Sequence, residues 1–166
     1  MKKFCYVICF SICIFIVGCS INENDLRKNI NNTVFENAKV IAVVKVTETK
    51  YLKSLIKDEE LNIIKDELKK IKNIRKIKIN PSDFFKEYHL SFIFYNGSEK
   101  SKTILYSTSL KLMMIREHDI FPEKSRSFSE VYVYRFKIPE KVLEILKEHE
   151  NKLPNEGEFI DNWPFD

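Results

Sequence analysis

The sequence predicts an α+β domain: a single meandering, mainly antiparallel sheet of about five to six strands with two helices packed on one face. Three observations carry this. Strand-like segments follow one another from Ile74 to Ile138; Asn96-Gly97 joins two of them as the strongest short hairpin signal, because both residues tolerate positive φ; and one helical period precedes the run while another follows it. The resulting order is β-α-β-β-β-β-β-α, without an internal repeat.

Residues 39–52 open on Val40-Ile41-Ala42-Val43-Val44 and continue by alternation through Val46, Thr47 and Thr49, the pattern of one strand whose first half is covered on both faces. The clearest helix comes next. Asp58 is placed to cap it, Glu59 and Glu60 stand in its first turn, Lys69, Lys70 and Lys72 in its last, and Leu61, Ile64, Leu68 and Ile71 recur at spacings of 3, 4 and 3. Asp66 and Lys70 are spaced as an i, i+4 ion pair. Ile74, Ile77 and Ile79 then start a short strand that Pro81 ends.

In residues 87–95, Tyr88, Leu90, Phe92 and Phe94 face one way and His89, Ser91, Ile93 and Tyr95 the other, and residues 100–107 form the return strand. Leu110 to Ile115 is short and largely apolar, a pattern shared by a strand and a turn of helix; we read it as a strand. Residues 118–129, with Asp119, Pro122 and three serines, read as a loop. A strand over 130–138 follows, and Pro139 suits the first position of a second helix over 140–149, with Val142, Leu143 and Leu146 inward.

All four cysteines, Cys5, Cys9, Cys13 and Cys19, lie in the first nineteen residues. Met1-Lys2-Lys3 is a positive n-region, and Phe4 to Val17 is an apolar run of fourteen residues broken only by Ser11. That is the length of a signal-peptide core and short of the roughly 20 residues that cross a bilayer. Ile16-Val17-Gly18-Cys19 resembles the lipobox of bacterial lipoproteins, with an aliphatic residue three places before the cysteine and glycine immediately before it. The resemblance covers the first nineteen residues. It implies cleavage after Gly18, a diacylglycerol on the Cys19 thiol, acylation of the new amino group by a fatty acid such as palmitate, and a lipid-anchored place on the cell membrane or outer membrane.

On this reading the chain divides into a signal peptide, 1–18, a lipidated terminus and flexible tether, 19–36, a single domain, 37–153, and a C-terminal tail, 154–166. The asparagine-rich tether is expected to hold the domain about 20 to 25 Å from the anchor. Removing 18 of 166 residues leaves 148, a size at which one core stands without staples, and the remaining domain has no free thiol once Cys19 is lipidated.

The mature balance of 26 basic against 24 acidic residues is close to neutral, and with the export signal it argues against nucleic acid as a partner. Lys65, Lys69, Lys70, Lys72, Arg75, Lys76 and Lys78 form a local basic run, which reads as a solvated face or as a contact with anionic headgroups near the anchor. Lysine outnumbers arginine 23 to 5, the mark of an AT-rich bacterial coding sequence rather than of an activity.

No motif frames a reaction. His89, His118 and His149 stand near acidic residues and serines are plentiful at Ser125, Ser127 and Ser129, but a Ser/His/Asp set is recognised by geometry rather than adjacency. With only Gly18, Gly97 and Gly157 there is no G-x-S-x-G elbow and no phosphate-cradling loop, so the histidines read as solvated. Glu140, Glu144 and Glu148 read as a solvated helix stripe; no metal site and no cofactor are expected.

Tyr132, Tyr134, Trp163 and Phe165 are the candidate recognition residues, since aromatic groups dominate binding hot spots and Tyr and Trp add a polar tip; the competing reading for these aromatics is a core under the helices. Cys19 is the lipidation site. The expected role is a membrane-anchored, non-enzymatic binding domain with a protein partner in the envelope. Immunity or inhibition against a toxin or lytic enzyme is the alternative, and an envelope hydrolase the third class.

Overall fold

The structure, a computed structural model, describes residues 22–46, 51–79, 88–95, 100–122, 131–156 and 158–159. Its centre is one antiparallel sheet. In chain order the strands are β1 (Val40–Val46), β2 (Tyr51–Ile56), β3 (Arg75–Ile79), β4 (His89–Tyr95), β5 (Lys100–Ser107), β6 (Leu112–Arg116), β7 (Val131–Lys137) and the two-residue β8 (Glu158–Phe159). They lie in the order β3-β7-β6-β5-β4-β1-β2-β8, so β4 to β7 form the expected meander and β3 closes one edge against β7. The helices are α1 (Glu23–Ile30), α2 (Asp58–Leu68), the short α3 (Glu117–Ile120) and α4 (Glu140–Glu156).

The sheet is wider than expected because residues 39–52 hold parts of two strands. β1 and β2 pair antiparallel from Ile41–Ile56 to Val46–Tyr51. The four residues joining them, Thr47 to Lys50, contain no Gly, Pro or Asn, so the chain reverses without the usual punctuation. The double-sided burial of β1 is as expected: Ile41 and Val43 join the main core, while Ala42 and Val44 join a cluster on the opposite face.

A larger correction concerns residues 19–36. From Glu23 onward the expected tether is helix. Asn22 caps α1 by accepting the Asn24 amide at 3.0 Å, Glu23 and Asp25 stand in its first turn, and Leu26 and Ile30 are buried. The helix continues as a π-helical turn, Asn31–Phe35, closed by the Glu36 N–H donating to the Asn31 carbonyl at 2.8 Å. Val34 and Phe35 are buried with it, and the Tyr95 hydroxyl donates to the carbonyls of Thr33 and Val34, clamping the turn to β4. The apolar positions recur every four residues at Leu26, Ile30, Val34 and Ala38, but they sit among so many asparagines that their period is faint.

Helices α1, α2 and α4 cover one face of the sheet, and their inward residues, among them Ile30, Ile64, Leu68, Val142 and Leu146, meet Ile41, Val43, Ile93 and Ile115 in the main core. Smaller clusters, Leu105 with Met114 and Val133, and Ala42 with Val44 and Phe92, occupy the other face. β4 alternates as expected, with Ile93 and Tyr95 toward the helices and Leu90, Phe92 and Phe94 away from them.

Local details depart from expectation. Asp58 does not cap α2: it is the first helical residue, at φ 55°, after an extended Lys57 with no side-chain cap bond. The ion pairs on α2 run at i, i+3, Lys69 to Asp66 and Lys70 to Glu67, each at 2.9 Å, rather than from Asp66 to Lys70. Residues 117–120, at the start of the expected loop, form α3, and α4 runs seven residues past the expected His149 to Glu156. The first residues of the expected C-terminal tail therefore belong to α4, and Glu158–Phe159 pairs with β2.

Candidate functional site

Of the residues singled out by sequence, Cys19, Trp163 and Phe165 lie outside the described residues, as do Ser125, Ser127 and Ser129. Tyr134 does not belong to a recognition surface. β7 lies between β3 and β6, the face that carries Tyr132, Tyr134 and Phe136 is the helix-covered one, and Tyr134 is 1% exposed. Its hydroxyl donates to Glu117 Oε1 at 3.1 Å, and burial, then the Glu117 charge, push its pKa up. Tyr132 is half-buried with the Lys76 ammonium 4.6 Å from its ring centroid.

The histidines separate. His118 is exposed on α3 and His89 is half-buried, but His149 is buried, which overturns its reading as a solvated group. Ser54 Oγ lies 2.7 Å from His149 Nδ1, and Glu60 Oε2 lies 2.9 Å from His149 Nε2. These three residues come from β2, α2 and α4, and the pairs stand 95 and 89 positions apart in the chain, so no local motif announces them. The order serine, imidazole, carboxylate is that of a hydrolytic triad. Its placement is not: the Ser54 hydroxyl is engaged on the helix-covered face, and hydrolysis requires a nucleophile open to a substrate carbonyl beside an oxyanion site. The arrangement ties three elements together.

Next to it, Glu150 Oε2 accepts from the Thr108 hydroxyl at 3.1 Å, and Oε1 stands 3.6 Å from His89 Nε2. The Tyr106 hydroxyl lies beside both Glu150 and Ser91, yet Tyr106, Ser91 Oγ and Glu150 Oε1 complete no hydrogen bond of good geometry. Burial first, and the Glu150 charge second, hold the Tyr106 phenol far above its usual range, so it stays protonated. A second network, around α3, is better satisfied: Lys76 reaches Glu117 at 2.7 Å, Arg116 reaches Asp119 at 2.8 Å, and Lys102 donates to the Asp119 carbonyl at 2.9 Å. Among the described residues no three His, Cys, Asp or Glu side chains converge as a metal-binding group.

An open concavity lies elsewhere, where α1 and its π turn pass beside α2. A cleft of about 470 Å³ is lined by Asn24, Arg27, Lys28, Asn31, Asn32, Phe35, Glu36, Lys65 and Lys69. A second of about 410 Å³ adjoins it, sharing Glu36 and Lys65 and adding Lys39, Asp58 and Asn62. Volumes of this order suit a small ligand. Lys65 is the post between them, donating to the carbonyls of Ala38 at 2.7 Å and Glu36 at 3.2 Å. Its pKa is lowered by burial and then by the neighbouring Lys39 and Lys69, against the opposite pull of Glu36. Arg27 Nη2 donates to Asn24 Oδ1 at 2.8 Å.

The basic run seen in the sequence does not form one patch. Lys65 and Lys69 face this cleft, Lys70 pairs with Glu67, and Lys76 turns to Glu117. What sequence reading missed is that Arg27 and Lys28 join Lys65 and Lys69, because the segment carrying them was expected to be a tether. Compared with known proteins, the chain matches no family model, no curated protein and no solved structure.

Proposed function

We propose that this chain is a lipid-anchored protein of the bacterial envelope whose single folded domain binds a partner and performs no chemistry of its own. The observation that carries the reading is Ile16-Val17-Gly18-Cys19 standing directly before a domain whose first helix begins at Glu23. Four chain steps separate Cys19 from Glu23, at most about 15 Å. A domain so close to its anchor works at the membrane surface.

With Tyr134 in the core, the aromatic groups left for recognising an envelope protein are the half-buried Tyr132 and the terminal Trp163 and Phe165. The non-enzymatic part of the reading is supported by Ser54, His149 and Glu60, a serine–histidine–carboxylate chain, being spent on holding β2, α2 and α4 together.

The test is Cys19→Ala with cell fractionation and mass measurement of the purified chain. Loss of membrane retention together with loss of a diacylglycerol mass is the expected result; retention equal to the unaltered chain overturns the anchor. Turnover in a hydrolase screen that disappears in Ser54→Ala would replace the binding reading with the hydrolase one.

A further inference from the structure

We propose that the cleft between α1 and α2 seats the phosphate of an anionic phospholipid headgroup in the same bilayer that holds Cys19, so that the domain lies against the membrane in one orientation. The inference rests on the lipoprotein reading above and adds a ligand class to the cleft.

Charge is the first argument. Arg27, Lys28, Lys65 and Lys69 line the cleft against the single carboxylate of Glu36. Arg27 bonds an amide oxygen and Lys65 two backbone carbonyls, so among the described residues only Lys69 of the four has a carboxylate partner, Asp66 at 2.9 Å. Three cations are left without a countercharge in contact. The acids of α1 do not supply one: Glu23 accepts from the Ile74 amide at 3.4 Å, Asp25 is exposed, and neither lines the cleft. Burial first, and then the Lys39 and Lys69 charges, push the Lys65 ammonium down against the pull of Glu36, and a bound anion offsets the like-charge part. A guanidinium and several ammonium groups around one concavity suit phosphate oxygens, with the exposed Asn32 amide available to a headgroup's hydroxyls.

Chain length is the second argument, and it selects the lipid over a free phosphate ester. Asn24 lines the cleft five residues after Cys19, within about 18 Å of the anchor at full extension. A headgroup is thus presented at the high effective concentration of a short tether, which a dissolved phosphate ester lacks. Each cation near an anionic surface is worth about fivefold in binding.

The experiment uses the full chain purified from membranes and placed in nanodiscs of phosphatidylcholine, with or without phosphatidylglycerol, and follows amide hydrogen exchange in residues 22–36 and 58–69. Anionic lipid is expected to slow exchange in both segments by about fivefold or more. Arg27→Gln combined with Lys28→Gln, two changes outside the core, should erase the slowing, while Lys147→Gln on α4 should leave it. A third arm adds glycerol phosphate to neutral nanodiscs. Slowing there without slowing on anionic lipid assigns the cleft to a soluble phosphate ester and overturns the headgroup. Equal exchange in all arms, or slowing that survives the double substitution, overturns it as well. The mass of the same preparation separates the two levels: an unmodified Cys19 removes the anchor and the proposal with it, whereas a lipidated chain that does not respond removes only the cleft.

Discussion

His149 engages a partner at each ring nitrogen while 4% exposed, so replacing it empties a buried site and removes the partner of a half-buried hydroxyl and of a partly exposed carboxylate. His149→Ala should lower stability by about 2 to 4 kcal/mol in denaturant melts, mostly through lost packing, with the Ser54 hydroxyl losing its partner and the Glu60 carboxylate returning to water. Ser54→Ala removes a single bond and should fall near 1 kcal/mol. Equal small effects for both would mean that the three residues do not act as a strut. Tyr134 offers a similar contrast. Tyr134→Phe keeps the ring and leaves Glu117 its Lys76 partner, so about 1 kcal/mol is expected, while Tyr134→Ala empties a core site and should cost about 3 to 5 kcal/mol. A thermal melt of the pair checks both. From sequence Tyr134 was open between core and surface, because alternation places it on a face without saying which face the helices cover, and His149 was not legible as structural, because its partners are separated from it by most of the chain.

At the scale of elements, α1 tests whether the segment after the anchor is fold or tether. Ile30→Ala should destabilise by about 2 to 5 kcal/mol, as should Ile64→Ala or Leu68→Ala on α2, because all three side chains are 2% exposed or less. A change within about half a kcal/mol for Ile30→Ala, the range of ordinary surface substitutions, would return the segment to a tether. The helix of 58–68 was readable because its 3, 4, 3 spacing fits an α-helical stripe and its charges follow the dipole. The helix of 23–30 was not: its mean composition is polar and its apolar residues step by four into a π turn, a period that the usual template does not contain. β5 was legible because Asn96-Gly97, which lies outside the described residues, is a strong hairpin signal between two alternating runs, whereas β1 and β2 merged for want of any such mark.

For the whole molecule, the two ends of the sheet are protected differently. β3 carries Arg75, Lys76 and Lys78 on its five residues, charges that discourage another strand from adding there. At the far end, β2 is covered by the two residues of β8. Truncation after Leu153 removes that cover along with the last turn of α4, and the expected result is concentration-dependent self-association by sedimentation in detergent, which the full chain does not share. An unchanged sedimentation profile would show that β8 is dispensable as an edge guard. The overall class, one antiparallel sheet with helices on one face, was legible because binary patterning alone separates strand runs from helical ones. The cleft was not, since it exists only where residues 24–36 and 65–69 meet in space.

The π turn also says something about how the chain tolerates a change of length. A π turn holds one residue more than an α-helical turn over the same path. Deleting Asn32 would bring Leu26, Ile30, Val34 and Phe35 to separations of 4, 3 and 1, the ideal α-helical stripe, in place of 4, 4 and 1. A one-residue deletion inside a packed helix ordinarily rotates everything upstream by about 100° and scrambles the core. Here it should instead yield an uninterrupted helix that still buries Leu26 and Ile30, with a melting temperature close to that of the unaltered chain and a narrower cleft. The extra residue then belongs to the mouth of the cleft rather than to the fold.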